Sequence, residues 1–401
     1  MNGQRRSLAG RWLLLCAVVS VGLNLRGPIV AVAPVLDEIR QELRISETAA
    51  GLLTTAPVLC FAVVSPFVAG IARRIGSNAT VAVSVALLAV AMAVRPWGGF
   101  ALMLAATVLL GAAIAGNNVL LPAIARRDFA DRAGPVLSAV TTSLLVSATI
   151  PAFLTVPLAS LTGWRAALAL WAVMAVAALV MWWRAVDPAA DRDEVANTAG
   201  GGPLGGAAAP VPSPYRAPAA WVLGLFFGVQ SLLFYATTAW LPTMLQTAGG
   251  LDAAAAGTAL SLFQLLGIAG AIAVPMLIRG RYLRYAVAVV PAVLWATMFA
   301  SLLLAPGGWP LWCVLGGLAQ GGGIAMGLSL IVMRSSGGEV ARSVSAMVQT
   351  VGYCLGAVGP VLIGALAAAT AAWTAPFLVL IALSALLAAL GLRSAAPGYI
   401  R

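Results

Sequence analysis

The chain has 401 residues, 62% of them hydrophobic and only 9% charged, a balance that excludes an ordinary soluble domain and fits a polypeptide dissolved in lipid. Its net charge of +11 is spread thinly over many short segments, so nucleic-acid binding is a poor reading of it. The excess reads instead as a topology signal with some attraction to anionic lipid.

Apolar runs of about 20 residues, enough to span a bilayer as a helix, recur along the whole chain. Twelve are predicted, near 11–36, 49–72, 79–97, 100–125, 135–158, 164–183, 218–241, 253–278, 285–304, 309–333, 343–367 and 372–392. The first is too long for a signal peptide and is read as a membrane helix. It carries Asn24 and Arg26 inside GLNLRGPIVAVAP, residues 22–34, a permanent charge in an otherwise apolar stretch. Ser46 precedes the second run and Asp252 the eighth, each where an N-cap belongs. Arg95 and Arg165 lie near helix ends, where snorkelling anchors are expected.

Residues 187–217, rich in Gly, Pro, Ala and Asp, form a flexible linker between spans six and seven. An N-terminal six-helix half, 1–186, and a C-terminal six-helix half, 218–401, are expected on either side. The halves echo one another: Gly22 and Gly228, Gly51 and Gly257, and Gly111 and Gly317 are each 206 positions apart. A six-plus-six parallel repeat of this kind is the plan of the major facilitator fold. The expected fold is therefore an all-α membrane protein with twelve transmembrane helices in two pseudo-symmetric halves.

All 23 basic residues are arginine. With the N-terminus inside, eighteen of them fall in inner segments, Arg40, Arg44, Arg95 and Arg165 fall outside, and Arg26 alone falls within a span. Both termini are then cytoplasmic, in a multi-pass protein of the cell membrane. The four cysteines, Cys16, Cys60, Cys313 and Cys354, sit inside spans with no metal-ligand spacing and read as packing residues. No metal or cofactor is expected, and a single chain is expected to suffice.

A transporter's site should lie near the midplane between the halves. No Asp or Glu falls deep in a span, and the chain has no His. The polar inventory at depth is Asn24, Arg26, Asn117, Asn118, Gln230, Tyr235, Gln264, Gln320, Gln349 and Tyr353. Arg26 is the one charge among them. Burying it at a helix centre costs from about 2.5 to more than 10 kcal/mol, so it needs amides, carbonyls, water or a ligand. Its planar fork suits a carboxylate-like or other planar anion. The alternative is an arginine satisfied by carbonyls that braces span one. Asn117 and Asn118 point about 100° apart on a helix, so at most one faces a cavity squarely. For each amide, a bond between helices is as good a reading as ligand contact.

The stretch GLNLRGPIVAVAPVL, residues 22–36, closely resembles the first-helix signature of the cyanate and 2-nitroimidazole transporter branch of the major facilitator superfamily. Arg95, LPAIARRDF after Asn118, AWLP at 239–242, and Gln349 followed by Gly352 also match, in order, over most of the chain. The resemblance implies alternating access and a small anionic or nitro-bearing substrate. It also favours Asn118 over Asn117. Gly27 stands where the branch usually has a proline, with Pro28 next, which alters the kink beside the site. The superfamily's inner-loop signature survives weakly as AGIARRIG, residues 69–76, with Arg73 in place of the usual acid. A latch on that side falls to other partners, such as Asp128 or Asp131, unless the loop only sets topology.

The expectation is a carrier in which Arg26 supplies charge, with directional contacts from Asn24, Asn118, Tyr235 and Gln349, and with Gln230, Gln264 and Tyr353 as further candidates. Drug or metabolite efflux is the closest alternative, though carriers of cationic drugs commonly hold an acid that this chain lacks. A membrane sensor that binds without transporting is a third. An intramembrane enzyme would need a base, nucleophile or metal cluster at depth, and none is visible.

Overall fold

The computed structural model describes residues 8–129, 132–186, 191, 195, 214–278, 283–336 and 338–400. Most of the expected linker lies outside these, as do Arg5, Arg6, Asp131, Arg192, Arg279, Arg281 and Arg401. Regular structure within the described residues is helical, apart from one isolated bridge between Ser335 and Ile400.

Fourteen α-helices build the described chain. The first span is α1 (Leu8–Gly22), the single turn α2 (Gly27–Val30) and α3 (Leu36–Leu43). Then follow α4 (Glu47–Ile75), α5 (Ser77–Val94), α6 (Phe100–Asp128), α7 (Ala133–Leu170) and α8 (Ala172–Ala185). The second half holds α9 (Pro218–Thr247), α10 (Ala253–Leu277), α11 (Leu283–Leu304), α12 (Trp309–Arg334), α13 (Gly338–Thr370) and α14 (Thr374–Ser394). Among the described residues, eleven stretches are long and apolar enough to cross a membrane. One of them, Ala139–Ala185, is two spans joined at Gly163, whose φ of 78° and ψ of 154° turn the chain back, so the total is twelve. Large apolar side chains such as Phe67, Phe153, Ile272 and Val332 are exposed along the helices, as a lipid-facing surface requires.

The expected N-caps are in place. Ser46 Oγ accepts from the N–H of Ala49 at 3.2 Å, and Asp252 Oδ1 accepts from that of Ala255 at 2.6 Å. The first span departs from the continuous helix expected over 11–36. Pro28 has no N–H to give to the Asn24 carbonyl, and its ring would crowd that carbonyl, so the ladder stops at Gly22 and restarts at Gly27.

Two helix pairs carry most of the packing between the halves, α4 with α13 and α7 with α10. Their closest approaches include a set at the end of the bundle that carries the two caps. A Cβ on Gly51 would stand 2.8 Å from the Pro360 carbonyl oxygen, and one on Gly257 would stand 3.0 Å from that of Ala152, so glycine is needed for the approach. One helical turn further in, Thr55 Oγ1 donates to the Ala357 carbonyl at 2.6 Å and Ser261 Oγ donates to the Thr149 carbonyl at 3.2 Å. Thr55 and Ser261 are again 206 positions apart, so the sequence repeat reappears as a repeated contact.

At the opposite end, Asp191 accepts from the N–H groups of Asn78 and Ala79 at 2.9 and 2.8 Å, and so caps α5. Arg127 bonds the Asn78 side chain at 2.9 Å and pairs with its neighbour Asp128 at 2.8 Å. Asp128 is thus engaged by Arg127 rather than by Arg73 or Arg74.

Candidate substrate site

A cavity of about 120 Å³ lies where α2, α4, α6, α7, α9 and α13 meet. Its polar lining is Arg26, Asn118, Tyr235, Thr238 and Tyr353, and its apolar lining includes Leu25, Ile29, Phe61, Leu144 and Phe234. Both halves contribute.

Arg26 reaches it because the first span is broken at that point. The residue stands at the N-cap position of α2 with φ −118° and ψ −32°, outside either helix. Its Cζ lies 5.1 Å from the centre of the Phe234 ring, within range of a cation–π contact. No carboxylate pairs with it among the described residues, and its Nη1 is buried without a hydrogen-bond partner. The ring beside it is itself held by neighbours: Phe234 meets Tyr235 edge-on at 4.9 Å and stacks on Phe263 at 6.4 Å. Across the cavity, Tyr353 meets Phe61 edge-on at 5.6 Å and Phe227 at 6.3 Å.

Of the paired amides, Asn118 faces the cavity. It is half-buried and lines the cavity, whereas Asn117 is fully buried and donates to the Ala113 carbonyl at 3.0 Å. The side chains of Asn118, Tyr235 and Tyr353 make no hydrogen bonds among the described residues. One fixed cation, one amide and two phenols therefore converge with their bonding capacity unspent, inside an aromatic frame.

The other candidates are placed elsewhere. Asn24 is buried and donates to the carbonyls of Ser20 at 2.8 Å and Met174 at 3.4 Å, facing a different, smaller void. Although it is two residues from Arg26, the break sends the two side chains to different sides. Gln230 donates to the Gln320 carbonyl at 3.1 Å and accepts from Trp295 Nε1 at 3.2 Å, inside the second half. Gln264 stands behind the lining, with its Nε2 3.5 Å from Thr238 Oγ1. Gln349 donates to Ser345 Oγ at 2.8 Å and lies outside the cavity lining.

Thr238, Phe61 and Phe234 were missed by the sequence reading. Thr238 lies three residues after Tyr235 on α9, on the same helical face, and that spacing was the available signal. Arg95 also differs from expectation. It is no snorkelling anchor but is 1% exposed, and its Nη1 donates to the Pro28 carbonyl at 2.9 Å. Arg165 does reach the surface, pairing with Glu42 at 2.8 Å and lying over the Trp164 ring.

Twelve spans in two related halves, closed on each other at one end, with a polar cavity at their junction, define a membrane carrier rather than an enzyme. The family model of the Major Facilitator Superfamily matches residues 14–353, and the chain belongs to that family. It is 34% identical over 393 residues to the uncharacterized transporter YycB of Bacillus subtilis, covering 96% of this chain and 94% of the relative. It is 31% identical to the 2-nitroimidazole transporter of Escherichia coli, covering 98% and 99%. The cyanate transport protein CynX of the same organism is 28% identical over 359 residues, covering 88% and 89%. Among solved structures, the nucleoside transporter NupG superposes with a TM-score of 0.75 at 12% identity, covering 95% of this chain and 99% of that one. The D-xylose–proton symporter does so at 0.72 and 11%, covering 96% of each. At such identities these two likenesses concern the fold.

Proposed function

We propose that this chain carries a small anionic or nitro-bearing solute across the cell membrane by alternating access, with Arg26 as the charge that binds it. The observation that carries the reading is the buried, unpartnered Nη1 of Arg26 in a cavity to which, among the described residues, no carboxylate contributes. A guanidinium so placed favours an electron-rich acceptor: a nitro group meets its planar fork with two coplanar oxygens, and a small linear anion meets its charge. Relatives named for 2-nitroimidazole and for cyanate support the same substrate class. Asn118, Tyr235 and Tyr353 would supply directional contacts, with Thr238 at the edge. The volume of about 120 Å³ suits a solute of a few heavy atoms.

The arginine distribution supports cytoplasmic termini, which puts the closed contacts of Gly51 and Gly257 at the extracellular end. An inside-negative potential opposes import of a monovalent anion by about 2.3 kcal/mol per 100 mV. Among the described residues the cavity lining holds no carboxylate or histidine to carry a proton, so uphill import would bring the proton with the solute, and the same site also serves exchange or export.

Flux in reconstituted vesicles tests this. Saturable uptake of cyanate or 2-nitroimidazole is expected for the wild type and absent for Arg26→Ala, with Arg26→Lys retaining a fraction. Equal flux in all three would overturn the role of Arg26, and binding without flux would make the protein a sensor.

A further inference from the structure

The single turn Gly27–Val30 that carries Arg26 has a break on each side, at 23–26 and at 31–32. A broken helix frees main-chain donors and acceptors, and within a membrane protein these must find partners in other helices. Here they do. Ser147 Oγ, on α7, accepts from the N–H groups of Arg26 at 3.2 Å and Gly27 at 2.8 Å. At the other end of the turn, the Pro28 carbonyl accepts from Arg95 Nη1, on the residue that closes α5. One side chain satisfies the donors and the other an acceptor.

Arg95 is an unusual choice for that task. It is 1% exposed, no carboxylate pairs with it among the described residues, and its Nε is buried without a partner. Burying a cation in this way sacrifices stability. What the charge gives is a bond to Pro28 stronger than a neutral donor would make, directed at the residue two positions after Arg26. Close packing adds to the clamp, because a Cβ on Gly27 would stand 2.7 Å from the Ser147 carbonyl.

We infer that Arg95 is a positioning residue: it fixes the Gly27–Val30 turn against α5, with Ser147 fixing the start of the turn against α7, so that Arg26 is aimed into the cavity. The inference rests on Arg26 being the binding charge.

The test uses the full chain in nanodiscs, comparing wild type with Arg95→Met, Arg95→Lys and Ser147→Ala. Three quantities are read: amide hydrogen exchange of 23–32, the rate at which phenylglyoxal modifies Arg26, and affinity for cyanate and 2-nitroimidazole. Arg95→Met is expected to speed exchange over 23–32 about tenfold while leaving 218–247 unchanged. It should also alter the Arg26 modification rate severalfold and weaken the bound probe about tenfold, with Lys restoring part of each effect. If Arg95→Met fails to fold, Arg95→Lys and Ser147→Ala carry the comparison. Unchanged exchange over 23–32, or faster exchange with Arg26 reactivity and probe affinity both unchanged, overturns the inference. If neither probe binds the wild type, the proposed substrate class fails instead, and exchange together with Arg26 reactivity decides the positioning role.

Discussion

The guanidinium carbon of Arg26 lies 5.1 Å from the centre of the Phe234 ring, and the two residues belong to opposite halves of the protein. A cation–π contact across the interface therefore joins the halves at the charge that lines the cavity. Such contacts are worth about 0.5–2 kcal/mol depending on desolvation. Phe234→Leu keeps most of the apolar bulk and removes the ring face, so affinity for an anion should fall by about three- to tenfold, alongside a lower melting temperature from the lost ring pairs with Tyr235 and Phe263. Isothermal titration with the solute found to bind would check this, and unchanged affinity would show that Phe234 only fills space.

Asn117 and Asn118 are neighbours with opposite expected phenotypes. Asn118→Ala removes an unspent amide from the cavity and should weaken binding by about tenfold. Asn117→Ala removes a bond to the Ala113 carbonyl inside the first half and should leave affinity unchanged. Equal effects from the two would mean that the cavity is assigned to the wrong face of α6.

Gln230 belongs to the packing of the second half, where it links the main chain of α12 at Gln320 to the Trp295 ring on α11. Gln230→Leu strands the Trp295 N–H and should cost about 1–3 kcal/mol of stability. Affinity should not change, because Gln230 is absent from the cavity lining. Thermal melts with and without ligand separate the two quantities: the same ligand-induced shift on a lower baseline is the expected result.

The paired contacts of Gly51 and Gly257 make a prediction about conformation. Leucine at either position has no room against the Pro360 or Ala152 carbonyl in the present arrangement. Gly51→Leu together with Gly257→Leu should drive this end apart, lengthening spin-label distances between the N-terminal end of α4 and the C-terminal end of α13 without unfolding the helices. A distance distribution identical to that of the wild type would mean that these glycines do not hold the closed end.

The spans and caps were readable because they depend on local chemistry. Runs of apolar residues specify membrane helices, and Ser46 and Asp252 cap their own helices three residues on. Arg26 stood out in the sequence because a lone charge in an apolar run is costly unless something binds it. Pro28 signalled a kink beside it, but the extent of the break was not readable, because it is stabilised from Ser147, 120 positions beyond Gly27, and from Arg95, 67 beyond Pro28. Asn24 illustrates the consequence: its spacing from Arg26 suggested joint action, yet the unwound segment turns the two apart. The remaining amides were ambiguous because facing a cavity or a neighbouring helix depends on how each helix is rotated, which polarity alone does not encode. Gln230 and Gln349 found partners in protein, while Asn118 did not.

Both Thr55 and Ser261 donate to main-chain carbonyls, those of Ala357 and Thr149. A carbonyl is present whatever the residue, so the receiving positions place no demand on side-chain identity at the bond. Mutational tolerance across this interface should therefore be lopsided, strict at 51, 55, 257 and 261 and lax for small residues at 149 and 357. The two sides of one contact would then drift at different rates over evolutionary time, with α4 and α10 recording the constraint and α7 and α13 hiding it.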